Sequence, residues 1–165
     1  MDECILGIDP GLNITGYGIL RRRPRGPKLE EAGVIRGGSG GPLPPRLHKI
    51  HKGLSEVVES YRPAAIAIEQ LYSHYQRPQT SILMGHARGV ICLVGAQFDI
   101  PVFDYAATKV KKLLTGNGRA PKVQMQQAIR RELSLSAVPE PADVADALAI
   151  ALCHFHLADR RVVVN

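Results

Sequence analysis

Leu6-Gly7-Ile8-Asp9-Pro10-Gly11, continued by Thr15-Gly16-Tyr17-Gly18, is the stretch from which the fold of the chain is read. The run from Cys4 to Ile8 is apolar without interruption, as in a central strand covered on both faces, although so short a run also fits a buried helix segment. It delivers a carboxylate, Asp9, and breaks at Pro10-Gly11, where glycine supplies the backbone freedom a turn needs. Asp9 is therefore expected at the end of a buried strand, beside a loop where backbone can approach a ligand. Taken alone, the segment reads equally well as an ordinary strand-to-turn aspartate.

Outward from it, Ile14 to Leu20 reads as a second strand and Leu29 to Ile35 as a third, with short connections that predict an antiparallel meander. Gly37 to Pro45 has the composition of a linker and is expected to be a flexible internal loop. Arg46 to Tyr61 carries apolar residues at Leu47, Ile50, Leu54, Val57, Val58 and Tyr61, a helical stripe that Pro63 stops. Ala64 to Ile68 is a second short apolar run that ends in a carboxylate, Glu69. A helix between two such runs implies a crossover and parallel pairing, which sets Glu69 at the same sheet edge as Asp9. Helix over Gln79 to Phe98, strand over Pro101 to Tyr105, and helices over Ala106 to Leu114, Lys122 to Leu133 and Ala142 to Leu157 complete an α/β domain with a mixed sheet.

The 165 residues are enough for a single domain, 1–165, with a sizeable core. No apolar run approaches the roughly 20 residues of a membrane span. The start, Met1-Asp2-Glu3, is acidic where a signal peptide is basic, so a cytoplasmic protein with no membrane partner is expected. Cys4, Cys92 and Cys153 are far apart, lie in apolar contexts and form no C-x-x-C pair, so reduced core cysteines are expected. Against 15 Asp and Glu stand 21 Lys and Arg, a net charge of +6 that favours polyanionic partners. The excess gathers at Arg21-Arg22-Arg23-Pro24-Arg25, Lys109 to Lys112, Arg119 and Lys122, Arg130-Arg131 and Arg160-Arg161, each of which alone is also an ordinary solvated face.

Asp143 and Asp146, three apart in the last helix, share a face. Asp143 lies in the first turn, where the helix dipole favours a negative charge, so a stabilising N-terminal pair is one reading. The surrounding A-D-V-A-D-A-L-A-I-A is otherwise small and apolar, which describes a helix packed on the sheet with two acids at the margin. Four converging carboxylates repel: two charges about 4 Å apart at an effective dielectric near 20 cost roughly 4 kcal/mol, so either they protonate or a cation sits among them. Oxygen donors without cysteine favour Mg²⁺, with Mn²⁺ as a substitute, over zinc, and two such ions clamp the attacking and leaving oxygens of a phosphodiester. An acidic metal site inside a basic surface is what cutting nucleic acid requires.

Gly7-Ile8-Asp9-Pro10-Gly11 with Thr15-Gly16-Tyr17-Gly18 resembles the opening motif of the RuvC family of Holliday-junction endonucleases. Ala67-Ile68-Glu69-Gln70, Gly85-His86-Ala87-Arg88-Gly89 and the block from Ala142 to Ala151 match its later motifs in order. The resemblance covers nearly the whole chain. It implies an RNase H-like fold, a five-stranded mixed sheet flanked by helices, a homodimer, a site for two divalent metal ions, and symmetric nicks in a four-way DNA junction. It places the metal-binding, catalytic quartet on Asp9, Glu69, Asp143 and Asp146, and a further catalytic basic residue on Lys122. It places an aromatic that stacks on bases near the crossover on Tyr72. Lys109, Lys111, Lys112, Arg119 and Arg77 are expected DNA contacts, fixing position without reading sequence. The stretch His74-Tyr75-Gln76-Arg77-Pro78 departs from the family's usual pattern there. The branch-migration motor complex RuvA-RuvB is implied as a partner by the resemblance alone. His86 is expected to pack or to join a dimer contact, and His154 and His156 to stand outside the chemistry.

Two other classes are weighed against this. A sugar kinase or ATPase of actin-like fold also holds phosphate in glycine-rich D-x-G turns, but needs two such domains around a nucleotide. A non-catalytic junction-binding module keeps the basic surface but does not need all four acids.

Overall fold

Strands β1 (Cys4–Asp9), β2 (Ile14–Arg23) and β3 (Gly26–Arg36) form the expected meander, followed by α1 (Leu43–Tyr61) and β4 (Ala65–Glu69). Then come α2 (Pro78–Gln97), β5 (Val102–Tyr105), α3 (Ala107–Thr115), α4 (Lys122–Glu132) and α5 (Ala142–Val162). These elements are taken from a computed structural model that describes residues 3–71 and 77–162, with side chains through residue 158. The sheet order is β3-β2-β1-β4-β5, with β4 parallel to both β1 and β5. The mixed sheet read from the sequence is the one observed.

Side-chain alternation divides this sheet into two faces. In β1, Cys4, Leu6 and Ile8 join a core with Ile50, Leu54 and Val58 of α1 and Ala87, Ile91 and Val94 of α2. Ile5 joins the opposite core, built on α5 with Leu148, Leu152 and Phe155, together with Leu20 of β2 and Ala67 of β4. Two-sided cover is why β1 reads as one continuous apolar run. The same parity sends Gly7 and Asp9, Ala67 and Glu69, and Phe103 and Tyr105 toward α5.

Several boundaries differ from expectation, among them the end of α5, which runs to Val162 and not Leu157. Helix α1 begins at Leu43 because prolines fit the first turn, where no intrahelical N–H is needed, so Pro44 and Pro45 are helix and not loop. The rest of that glycine-rich segment is anchored at its start: the Gly37 amide donates to the Asn13 carbonyl at 3.0 Å, and the Arg46 guanidinium donates to the Gly38 carbonyl and Asn13 Oδ1. The β2–β3 hairpin runs on to Arg23 and Gly26, with Glu30, the residue skipped in the β2–β3 register, in ion pairs with Arg21 at 3.2 Å and Arg23 at 3.4 Å. Cys4 and Cys153 are buried, whereas Cys92 sits at the margin of the α2 core, partly exposed, and all three are free thiols.

Candidate active site

Parallel pairing of β1 and β4 sets Ile8 beside Ile68, so the next residues, Asp9 and Glu69, leave the sheet at one edge and on one face. Behind Asp9 the turn is closed by Thr15, fully buried, whose hydroxyl donates to the Gly11 carbonyl at 2.7 Å. Helix α5 brings the other two acids. Its backbone lies directly on glycine: a Cβ added at Gly16 would stand 2.2 Å from the Asp143 carbonyl oxygen, and one at Gly7 2.2 Å from that of Ala147. One at Gly18 would meet Leu148 Cδ2 at 2.4 Å. Gly16 is the cross-strand partner of Asp9, so the main chain of Asp143 rests on the residue next to Asp9.

The electrostatics follow from this crowding. Burial first, then the charges of Asp146, Glu69 and Asp143, push the Asp9 carboxyl from 3.8 up to about 8. Burial and Asp146 also raise Glu69, against a downward pull from Lys111. Asp146 is raised by loss of solvent on its inner side and by Asp143, while Lys122 and Lys111 draw it down. Thus the acids share one field. Among the described residues, no three His, Cys, Asp or Glu side chains close on a single point as a finished metal cage.

Glu69 and Asp146 face each other across a cleft of about 220 Å³ lined also by Ala107, Val110, Lys111, Met125, Ala149 and Ile150. Lys111, expected on the DNA-gripping surface, is therefore part of the acidic cleft. Lys122 is exposed at the first residue of α4, the positive end of a helix dipole where a cation is disfavoured by about 0.3–1 kcal/mol. Its compensation is Asp146. Lys109 lies with Nζ 5.8 Å from the centroid of the Tyr105 ring. Lys112, Arg119 and Arg77 are exposed and are not drawn into the cleft. Tyr72 lies outside the described residues. His156 pairs with Glu132, and His86 is exposed on α2, not packed.

Replacing Lys111 by Met should let the carboxyls of Glu69 and Asp146 rise further, because their nearby cation is gone. Less of either carboxyl is then ionised at a given pH, so the acid limb of the cleavage profile should move to higher pH. A pH–rate profile superimposable on that of the wild type would remove Lys111 from the site.

A family model for the crossover junction endodeoxyribonuclease RuvC matches residues 5–154. The chain belongs to the RuvC family. A RuvC crossover junction endodeoxyribonuclease from Rhodopirellula baltica is 57% identical over 162 residues, 97% of this chain and 90% of that protein. The RuvC of Alkaliphilus oremlandii is 43% identical, over 92% of each chain. Among solved structures, Thermus thermophilus RuvC, both alone and in complex with a Holliday junction substrate, superposes with a TM-score of 0.88 at 31% identity, over 96% of each chain. The yeast mitochondrial Holliday junction resolvase Ydc2 shares the fold, with a TM-score of 0.67 at 14% identity over 97% of this chain and 80% of its own.

Proposed function

We propose that this RuvC-family chain is a single nuclease domain, working in the cytoplasm as a homodimer, that resolves four-way DNA junctions by symmetric, divalent-metal-dependent nicks. The observation that carries the reading is the acidic cluster: Glu69 and Asp146 line one cleft with Lys111, Asp9 feels the charges of Glu69, Asp143 and Asp146, and Lys122 acts on Asp146. The RuvC of Thermus thermophilus, solved with a Holliday junction substrate, supports the choice of DNA.

The residues present fit a divalent cation. Their donors are hard carboxylate oxygens, and burial, with the neighbouring charges of Asp146, Glu69 and Asp143 added to it, pushes Asp9 up to about 8, so a cation there would relieve both. Bound by Asp9, Glu69, Asp143 and Asp146, two Mg²⁺ ions, or Mn²⁺ in their place, would supply charge compensation and Lewis-acid stabilisation of the scissile phosphate. Lys111 and Lys122 offset charge that builds on the phosphate oxygens or hold a water in place. Water adds in line to phosphorus, the bond to the 3′ oxygen breaks, and the products are a 5′-phosphate and a 3′-hydroxyl. Arg77, Lys109, Lys112 and Arg119 hold backbone phosphates on the approach, and Tyr72 stacks on bases near the crossover.

Pairing of two copies is supported by α2. Ile82, His86, Gly89 and Leu93 lie along one exposed stripe, with Ile82 60% and Leu93 51% exposed. A Cβ added at Gly89 would meet nothing within 4 Å, so the close approach this glycine permits is open to a second chain. Coupling to the branch-migration complex RuvA-RuvB rests on the resemblance alone, and pull-down with those motor proteins tests it.

The deciding experiment is cleavage of a labelled synthetic four-way junction beside a matched linear duplex in Mg²⁺, Mn²⁺ and EDTA. Paired, symmetric nicks on the junction, lost in EDTA and absent from the duplex, are expected. Binding without nicks in any divalent metal overturns the enzyme reading, and equal cutting of both substrates overturns junction selectivity.

A further inference from the structure

His154 is a histidine enclosed by the core, 7% exposed, two turns and more beyond Asp146 on α5. Its Nδ1 shares a 2.7 Å hydrogen bond with the hydroxyl of Tyr105, itself 7% exposed. The Phe103 ring lies 4.7 Å from the imidazole, centroid to centroid. Tyr105 is the residue paired with Glu69 across the β4–β5 ladder, and its carbonyl accepts from the Gln70 amide at 2.9 Å. It also leads into α3, which carries Lys111 to the cleft. One buried bond therefore joins the helix of Asp143 and Asp146 to the strand pair of Glu69.

Apolar side chains would fill this place without the desolvation cost of a hydroxyl and an imidazole. What they would lack is direction. The glycines at 7, 16 and 18 give α5 a close but smooth seat, one on which apolar packing resists lifting more than it resists sliding or rotation. A hydrogen bond with narrow limits of distance and angle resists both. We propose that the Tyr105–His154 bond is a positioning device for cleavage, fixing the register of α5, and with it Asp143 and Asp146, against Glu69. Both are positioning residues: neither lines the cleft, and their effect passes through the acids.

The inference rests on the proposed nuclease reading, so the wild-type protein is first required to nick a four-way junction; failure there sinks that reading and not this one. Single-turnover cleavage, junction Kd and Tm are then compared for Tyr105→Phe, for the double variant Tyr105→Phe/His154→Phe, and for His154→Asn. The double variant removes both polar groups of this bond together, so neither is left facing an empty partner across it, and its Tm should fall less than that of Tyr105→Phe. A purely structural pair therefore predicts a smaller loss of cleavage from it than from Tyr105→Phe. Positioning predicts about a ten-fold slower cleavage in Tyr105→Phe and in the double variant, with Kd within about two-fold, since small misplacement of reacting groups is costly. His154→Asn, whose side chain reaches the place of Nδ1, should keep most of the rate. Wild-type cleavage by the double variant, a loss that follows a fall in its Tm, or His154→Asn no better than the double variant would each overturn the proposal.

Discussion

Asp9→Asn is expected to abolish strand cleavage, by at least about a thousand-fold, while leaving junction affinity within about two-fold of the wild type. The amide keeps the shape of the side chain but removes the charge at the point where the other three carboxylates act together, so cation binding fails and phosphate contacts made elsewhere persist. A second readout is independent of DNA. In EDTA, an Asp9 that titrates near 8 when folded and near 3.8 when unfolded binds more protons in the native state between those values. Stability should then fall as pH rises from about 4 to about 8, by up to about 1.4 kcal/mol per pH unit from this group, and Asp9→Asn should lose that share and keep only the shallower fall due to Glu69 and Asp146. Added Mg²⁺ should raise the Tm of the wild type, and more so at higher pH, because the ion competes with the proton. Cleavage surviving in Asp9→Asn, or thermal melts in EDTA with the same pH slope for both proteins, would contradict the assignment.

Gly16→Ala should damage the same site without touching an acid. One methyl placed 2.2 Å from the Asp143 carbonyl oxygen, 2.5 Å from its carbon and 2.9 Å from its Cβ has no flexible side chain to push aside. The start of α5 must lift. Overpacking of this kind costs about 1–3 kcal/mol, or a few degrees in Tm for a chain of this size. The larger effect is on chemistry, where a shift near 1 Å in a reacting constellation costs about 100-fold. Gly40→Ala is the matched control, since an added Cβ there meets nothing within 4 Å. A cleavage rate for Gly16→Ala within two-fold of the control would show that α5 does not set the geometry.

The acids were legible because each stands at a place that pattern alone defines. Asp9 and Glu69 follow short apolar runs joined by a crossover helix, and Asp143 and Asp146 are spaced to share a helix face. The two-sided core was legible from the uninterrupted run of β1. The place of Lys111 was not, since Lys109, Lys111 and Lys112 read alike as a basic cluster until the rotation of α3 turns one of them to Glu69 and Asp146. Nor was the bond between Tyr105 and His154, 49 residues apart, because nothing local distinguishes a buried histidine from an exposed one near a helix end. The glycines did carry a signal, in that Gly7 and Gly18 are opposed and Gly16 and Gly18 share a strand face, but its meaning depends on a helix 130 residues later in the chain. Pro44 and Pro45 read as linker because composition does not reveal which prolines open a helix.

The glycine seat of α5 has a consequence for how this molecule tolerates change. Where side chains mediate a helix–sheet contact, every core replacement alters the spacing and with it any site that straddles the two layers. Here the spacing near Asp9 is set by main chain against main chain, so it is largely independent of which aliphatic residues fill the rest of the core. Variation in the hydrophobic interior and constancy of the cleft are then compatible, and drift in sequence concentrates its damage on two small residues, Gly7 and Gly16. A library that randomised core aliphatics while holding Gly7 and Gly16 would retain far more active members than one built the other way round.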